Sequence, residues 1–325
     1  MKRGTTIKQA DEKSVALERK MITRSHLLTL NRERCVGCDL CFAVCPQEAI
    51  ALARGVVEEG RLVQRPAVDI DPQKCNFCGE CVVVCPVNAL SLLVDGEARI
   101  PVWEFEAFPV LVKEIKWDGS KLPKGLADTV VEVCPTDVIA VEAKRDKKGK
   151  VTSVQNVQVD ASNCIYCKQC EAASPEAFSA THPFEGIIRL ERSLCPAPGL
   201  CQGQTAPGLC QGQTAPGLCQ GQMAGCQACA DICPSHALFM QGKDLLLDDR
   251  FCLYCGACTQ VCPVSEALLV RRHRVRHSPI KSGAWIAAVE KLISAEMAAE
   301  ELELKSQTKR RSVLNYLPGA SKKQD

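Results

Sequence analysis

The stretch Cys35-Val-Gly-Cys38-Asp-Leu-Cys41-Phe-Ala-Val-Cys45-Pro46 constrains this chain more than any other. Its cysteines are separated by two, two and three residues, and a proline follows the last. Three thiols two residues apart on a curling backbone can face one concavity. The fourth, one short helical turn further on, faces away from them. Proline has no amide N–H and redirects the chain. Thiolates at this spacing are ligands for [4Fe–4S] clusters, the fourth cysteine serving the other cluster of a two-cluster unit.

The remaining chain repeats this run, degrades it or connects its copies. Cys75-Asn-Phe-Cys78-Gly-Glu-Cys81-Val-Val-Val-Cys85-Pro86 is a second complete copy. The crossover rule gives one cluster Cys35, Cys38, Cys41 and Cys85, and another Cys75, Cys78, Cys81 and Cys45. Ala49-Ile50 and Ala89-Leu90 follow the two Cys-Pro pairs and would keep water away, and Gly37 and Gly79 would let backbone amides approach the sulfurs.

A degraded pair comes next. Cys134-Pro135-Thr-Asp-Val138-Ile139 reads as the end of a run whose first three positions, counted back, hold Lys124, Ala127 and Val130. Its partner, Cys164-Ile-Tyr-Cys167-Lys-Gln-Cys170-Glu-Ala-Ala-Ser174-Pro175, has serine in fourth place. The two defects match, because one lost cluster accounts for both. Cys164, Cys167, Cys170 and Cys134 remain for the other cluster. The spacing from Cys134 to Cys164 equals that from Cys45 to Cys75, 30 residues in each case.

The third pair is interrupted. Ala197-Pro-Gly-Leu-Cys201-Gln-Gly-Gln-Thr recurs over 206–214 and, ending in Met223, over 215–223. Pro and Gly content marks this as a loop without a core of its own. After it, Cys226-Gln-Ala-Cys229-Ala-Asp-Ile-Cys233-Pro234 lacks a first cysteine at its expected position, Met223. Cys219, whose Cys-Gln-Gly resembles the opening of a run, is the preferred ligand, with Cys195, Cys201 and Cys210 as alternatives. The closing run, Cys252-Leu-Tyr-Cys255-Gly-Ala-Cys258-Thr-Gln-Val-Cys262-Pro263, is complete. One cluster then takes Cys252, Cys255, Cys258 and Cys233, and the other Cys226, Cys229, Cys262 and Cys219. The expectation is about five clusters, hence about twenty iron atoms per chain.

Composition agrees. The 325 residues include 23 cysteines but only 4% aromatics, so small modules nucleated by metal centres are expected instead of one large core. The N-terminal residues show no signal peptide and no apolar stretch is long enough to span a membrane, which points to a reducing cytoplasmic setting without a membrane. A net charge of +2 gives no global field for nucleic acid.

Seven segments follow: an arm over 1–28; a two-cluster module over 29–100; an aromatic insert over 101–121, read as an extra hairpin with docking to a partner as the alternative; a module reduced to one cluster over 122–192; the repeat loop over 193–225; a two-cluster module over 226–270; and a basic segment with a helix and tail over 271–325. Trp285, Val289, Leu292, Ile293 and Met297 recur at helical spacing between Ser282 and about Lys305. They suit docking on the chain's own modules or on another subunit equally.

Nothing in the sequence offers a catalytic site: no phosphate loop, no nucleophile paired with histidine, no zinc-hydrolase signature. A zinc-binding module also uses Cys-x-x-Cys pairs, but it needs neither a third cysteine nor the Cys-Pro close. Substrate chemistry at a cluster iron lacking a protein ligand would require the middle module to lack its fourth cysteine, and Cys134 supplies one.

The tandem runs resemble bacterial-type ferredoxins and, most of all, archaeal polyferredoxins. The resemblance rests on the cysteine runs over 29–270. Cys-Pro-Thr-Asp-Val-Ile, Cys-Glu-Ala-Ala-Ser-Pro-Glu-Ala and the aromatic insert make the chain look like the iron–sulfur polyferredoxin subunit of formylmethanofuran dehydrogenase. The resemblance implies an α+β fold of tandem βαββαβ-like units nucleated by [4Fe–4S] clusters, with a C-terminal helix. It implies single-electron relay to other subunits of a molybdenum or tungsten formylmethanofuran dehydrogenase in carbon dioxide reduction and methanogenesis, within an oxidoreductase complex. A hydrogenase- or heterodisulfide-reductase-associated polyferredoxin is the alternative.

Overall fold

Residues 5–195, 226–242 and 244–293 are described by the structure, a computed structural model. The first strands arise from strict alternation. Val15 and Leu17 on one face are fully buried while their neighbours are partly exposed. The meander β1 (Thr5–Ala10), β2 (Ser14–Lys20), β3 (Ser25–Asn31) leads into α1 (Leu40–Val44), β4 (Ile50–Ala53), β5 (Val56–Glu58), β6 (Arg61–Gln64), β7 (Ala67–Ile70), α2 (Glu80–Val84), β8 (Leu90–Val94) and β9 (Glu97–Ala98). α3 (Pro101–Glu104) precedes β10 (Glu114–Trp117), α4 (Ala127–Glu132), β11 (Ile139–Arg145), β12 (Val151–Val159), α5 (Gln169–Ala173) and β13 (Phe178–Thr181). Then come β14 (Phe184–Leu190), α6 (Ala228–Ile232), β15 (Leu238–Gln241), β16 (Asp244–Leu247), α7 (Ala257–Val261), β17 (Leu268–Val275) and α8 (Gly283–Leu292).

One pattern recurs. A first and a last strand pair antiparallel and close a unit that holds a hairpin and two short helices. β3 pairs β8 around β4–β7, β10 pairs β13 around β11–β12, and β14 pairs β17 around β15–β16. In each unit the two helices lie against one another, as α1 with α2, α4 with α5, and α6 with α7. We call these units 1, 2 and 3.

The topology shifts the expected boundaries. Residues expected as an arm form β1 and β2, which extend the unit 1 sheet in the order β1-β2-β3-β8-β9. The reason is covering: Arg19 on β2 donates to the Cys75 carbonyl at 2.6 Å and lies 4.5 Å over the Phe77 ring, and Lys8 pairs with Asp69 at 2.6 Å. The aromatic insert is no hairpin of its own. β10 pairs with β13 and opens unit 2, Phe108 is buried against Trp285, and Phe105 stays exposed. Unit 3 begins at β14, before the repeat loop, because β14 is the pairing partner of β17.

The basic stretch from Arg271 lies largely within β17. Arg272 donates to the carbonyls of Leu292 (2.7 Å), Tyr254 (2.9 Å) and Cys255 (3.2 Å), and so ties α8 to the last cysteine run. α8 packs on α1 of the same chain, with Trp285, Ala288 and Leu292 buried. Of the helix expected to about Lys305, Met297 and the rest beyond residue 293 lie outside the described residues. Units 1 and 3 share one apolar core that includes α8, while unit 2 has a smaller core around Leu122, Val130, Val157 and Phe178.

Candidate metal centres

The cysteine loops are shaped by the same backbone kinks each time. The residue two after the first cysteine has a left-handed φ: Gly37 (60°), Phe77 (60°), Tyr166 (58°) and Tyr254 (50°). So does the residue after the second: Asp39 (67°), Gly79 (91°), Lys168 (67°) and Gly256 (91°). The first kink turns an amide onto the sulfur. Tyr166 and Tyr254 donate their backbone N–H to Cys164 Sγ and Cys252 Sγ, each at 3.3 Å. Because three side-chain-bearing residues share this turn, amide approach does not itself require Gly37. The requirement comes from Pro66, whose Cβ would lie 2.3 Å from a Cβ at that position. The second kink starts the short helix that carries the third cysteine. After the fourth cysteine, the Cys-Pro turn brings Ala49 N to Cys45 Sγ at 3.3 Å and Ala89 N to Cys85 Sγ at 3.2 Å. Glu48, Asn88, Asp137 and His236 occupy one equivalent left-handed position in these turns, so Cys134 sits in the same local structure as the fourth cysteines of complete runs.

The tertiary fold gathers the thiols into sets. Cys35, Cys38, Cys41 and Cys85 sense one another's charge and make centre I. Cys75, Cys78, Cys81 and Cys45 make centre II. Cys164, Cys167, Cys170 and Cys134 make centre III in unit 2. Cys252, Cys255, Cys258 and Cys233 make centre IV. Cys226, Cys229 and Cys262 meet at centre V, and Cys195 stands with them. The expected ligand Cys219 lies outside the described residues.

Burial pushes these thiols up, Cys78, Cys167, Cys170 and Cys252 to about 12 and Cys255 to about 11. Apolar walls disfavour four free thiolates in one place, so without a cation the thiols stay protonated, and metal binding would release protons. The donors fit an iron–sulfur cube. Cys45, Cys75, Cys78 and Cys81 line a cavity walled by Leu28, Ile50 and Ile70. Among the described residues no three His, Cys, Asp or Glu side chains converge on a single-ion position. The four thiols of centre II surround a volume, as irons at separate corners demand. Glu80, between Cys78 and Cys81, is pushed up to about 7 by burial and drawn partly back by Lys291 of α8. Lys113 donates to the Cys85 carbonyl at 2.9 Å, and burial lowers its pKa.

In unit 2 hydrocarbon fills the place of the absent sixth centre. Ala127 and Val130, at two of the lost cysteine positions on α4, are 1% and 0% exposed; Val130 packs with Leu122 and Phe178, and α4 lies against α5. Ser174, in the fourth position, is buried and its carbonyl accepts from the amides of Ala177 and Phe178, a turn role. Lys124 sits in the turn before α4.

Ligands of neighbouring centres lie close enough to sense one another's charge. Cys81 senses Cys41, joining II to I; Cys38 senses Cys255, joining I to IV; Cys258 senses Cys229, joining IV to V. Centre III lies at the side of this row. Asn88, past Cys85, donates to the Cys164 carbonyl at 3.0 Å, and Gln169 donates to the Ser235 carbonyl at 3.0 Å. Arg34 bonds Asn163 on the same seam. Nothing in the sequence motifs distinguished Asn88, Gln169 or Arg34, because their roles depend on one unit meeting another.

A 4Fe–4S dicluster domain family matches residues 34–89 and 224–265, which hold the cysteine runs of unit 1 and those of unit 3 from Cys226 to Cys262. The chain is therefore an iron–sulfur protein with ferredoxin-type [4Fe–4S] domains of mixed helix and strand, of the electron-transfer class. A chain of the formate dehydrogenase–heterodisulfide reductase–formylmethanofuran dehydrogenase complex from Methanospirillum hungatei shares the fold. The two are 27% identical with a TM-score of 0.68, over 90% of this chain and 93% of that one. No protein of curated function matches the sequence. Among the described residues no helix is long and apolar enough to cross a membrane.

Proposed function

We propose that this chain is a polyferredoxin, the electron-transfer subunit of a complex built around a molybdenum or tungsten formylmethanofuran dehydrogenase. The observation that carries the reading is the row of adjoining thiol sets II–I–IV–V with III beside it, in a chain similar over nearly its whole length to one from a complex named for that enzyme. When bound, each [4Fe–4S] cluster exchanges one electron at a time. The protein's residues do the rest. Cysteine thiolates hold each cube. Backbone amides such as those of Ala49 and Ala89 aim at the sulfurs and favour the more negative, reduced form. Leu28, Ile50, Ile70 and Val84 exclude water. Close packing of units 1 and 3 shortens the gap between centres I and IV. Substrate chemistry belongs to a partner, and the setting is the reducing cytoplasm.

The test is anaerobic purification from the native source. A brown preparation that bleaches with dithionite, contains about twenty irons per chain and brings down a molybdopterin subunit is the expected result. Heterodisulfide reductase also appears in the name of the complex that holds the similar chain, and that enzyme or a hydrogenase as the sole partner would move this subunit to the other pathway. Zinc in place of iron would end the electron-transfer reading.

A further inference from the structure

We infer that Cys195 is the fourth ligand of centre V, so the repeat loop is an insertion between the first and second ligands of a single cluster site. This rests on the electron-transfer reading above and goes beyond it by assigning a residue that lies 31 positions before the next cysteine of its set, Cys226.

Three observations converge. The first is placement. Cys195 is buried, and Cys226, Cys229 and Cys262 each sense its charge, as the fourth thiol of every other set is sensed by its partners. The second is a lead-in turn that precedes each first ligand. Four residues before it stands a side chain that accepts an amide two residues on. Asn31 accepts from Arg34, Asp71 from Gln73, Asp160 from Ser162 and Asp248 from Arg250, before Cys35, Cys75, Cys164 and Cys252. (In the Asn31 copy the amide is three residues on.) Glu191 accepts from Ser193 at 3.2 Å, and four residues after Glu191 comes Cys195. The amides of Cys35, Cys75 and Cys164 also close back on the carbonyl four residues earlier, at 3.1, 3.0 and 3.1 Å; Cys195 closes on Glu191 at 3.1 Å. The third is the strand that feeds the turn. β7, β12 and β16 end at Ile70, Val159 and Leu247, five residues before Cys75, Cys164 and Cys252. β14 ends at Leu190, five residues before Cys195.

The chain thus enters Cys195 as it enters a first ligand elsewhere. The second and third ligands follow only at Cys226 and Cys229. Cys195 and Cys226, which flank residues 196–225, stand at the same site, and lengthening a chain segment between fixed ends costs little, about 0.6 kcal/mol per doubling. A nine-residue duplication is tolerated there because the cluster site does not feel it. In the sequence the run looks broken because its first ligand lies 31 residues, not three, before its second.

Three variants decide the matter after anaerobic reconstitution, by iron and sulfide per chain and by EPR of the oxidised and reduced protein. Cys195→Ala should lose about four irons, or about one with a new three-iron signal in the oxidised state, leaving the remaining centres. The triple variant Cys201→Ala, Cys210→Ala, Cys219→Ala should keep the wild-type iron content, as should deletion of residues 197–214. A triple variant that loses iron overturns the assignment, and so does a Cys195→Ala protein with full iron. If Cys195→Ala does not accumulate, the triple variant decides alone, with full iron supporting Cys195 and lost iron overturning it. A wild-type protein without clusters would instead defeat the underlying reading, which keeps the two failures apart.

Discussion

Two hydroxyls set two of the sulfurs apart. Thr136 Oγ1 lies 3.7 Å from Cys134 Sγ, and Ser235 Oγ lies 3.7 Å from Cys233 Sγ. At the matching position after Cys45, Cys85 and Cys262 stand Gln47, Val87 and Val264, which bring no hydroxyl. A hydroxyl donated to a thiolate favours the more negative, reduced cluster. Thr136→Val and Ser235→Ala should each lower the potential of one centre by about 40 mV, the one-electron equivalent of a hydrogen bond worth about 1 kcal/mol. EPR-monitored redox titration checks this, and unchanged potentials would show that the hydroxyls do not donate to sulfur. His182, between β13 and β14, is held neutral: burial first, then Lys168 and Arg276, depress its pKa to about 4. An unfolded histidine protonates near pH 6.5. As pH falls from 6.5 towards 4 the unfolded state gains a proton that the folded state refuses, so stability declines, by on the order of 2 kcal/mol. The melting temperature of His182→Gln should fall less steeply over that range than that of wild type; parallel curves would remove His182 from the account. The cysteines themselves were legible from spacing. The hydroxyls and His182 were not, since a threonine two after a cysteine or a histidine in a turn has no signature until its neighbours are known.

Helices α1, α2, α5, α6 and α7 follow from the runs, as each is the turn that carries a third cysteine, whereas α3 and α4 hold none. α8 was legible as an amphipathic helix, but its partner was not. The helix docks on α1, and its Trp285 fastens it to Phe108 and His277. Its ring meets Phe108 edge-on at 5.1 Å and His277 at 5.0 Å, and its Nε1 donates to His277 Nε2 at 3.2 Å. Trp285→Ala should cost about 3–5 kcal/mol of stability in the helix-bearing part, as large aromatic deletions from cores do. Limited proteolysis after residue 280 and thermal melting would read it, and unchanged resistance to protease would show that α8 is held elsewhere. The β1–β2 hairpin was missed because its alternation is short and rich in charge. Only its contact with the Cys75 loop, through Arg19, explains why it folds there. The aromatic insert misled in another way. Its residues are divided between α3, the turn at Phe108 and β10, and the pairing of β10 with β13 across sixty residues leaves no local trace.

At the scale of the whole molecule, units 1 and 3 share a core although unit 2 lies between them in the chain. Gly60 shows how close they come: a Cβ there would lie 2.6 Å from the Cys226 Cα, and its carbonyl accepts from Gln227. Arg54 reaches the carbonyls of Thr259 and Cys262 across the same joint. Matched losses at 124, 127, 130 and 174 marked a missing centre in the sequence, and the structure shows apolar packing in its place. What the sequence determined by itself is the local spacing of the thiols within each run, because a cube imposes its ligand spacing on the backbone next to it. Which centre adjoins which, where the first strand of each unit begins, and that Cys195 stands beside Cys226, Cys229 and Cys262 were decided only by tertiary structure. These depend on strand pairing and unit packing between residues far apart in the chain, where no local spacing carries information.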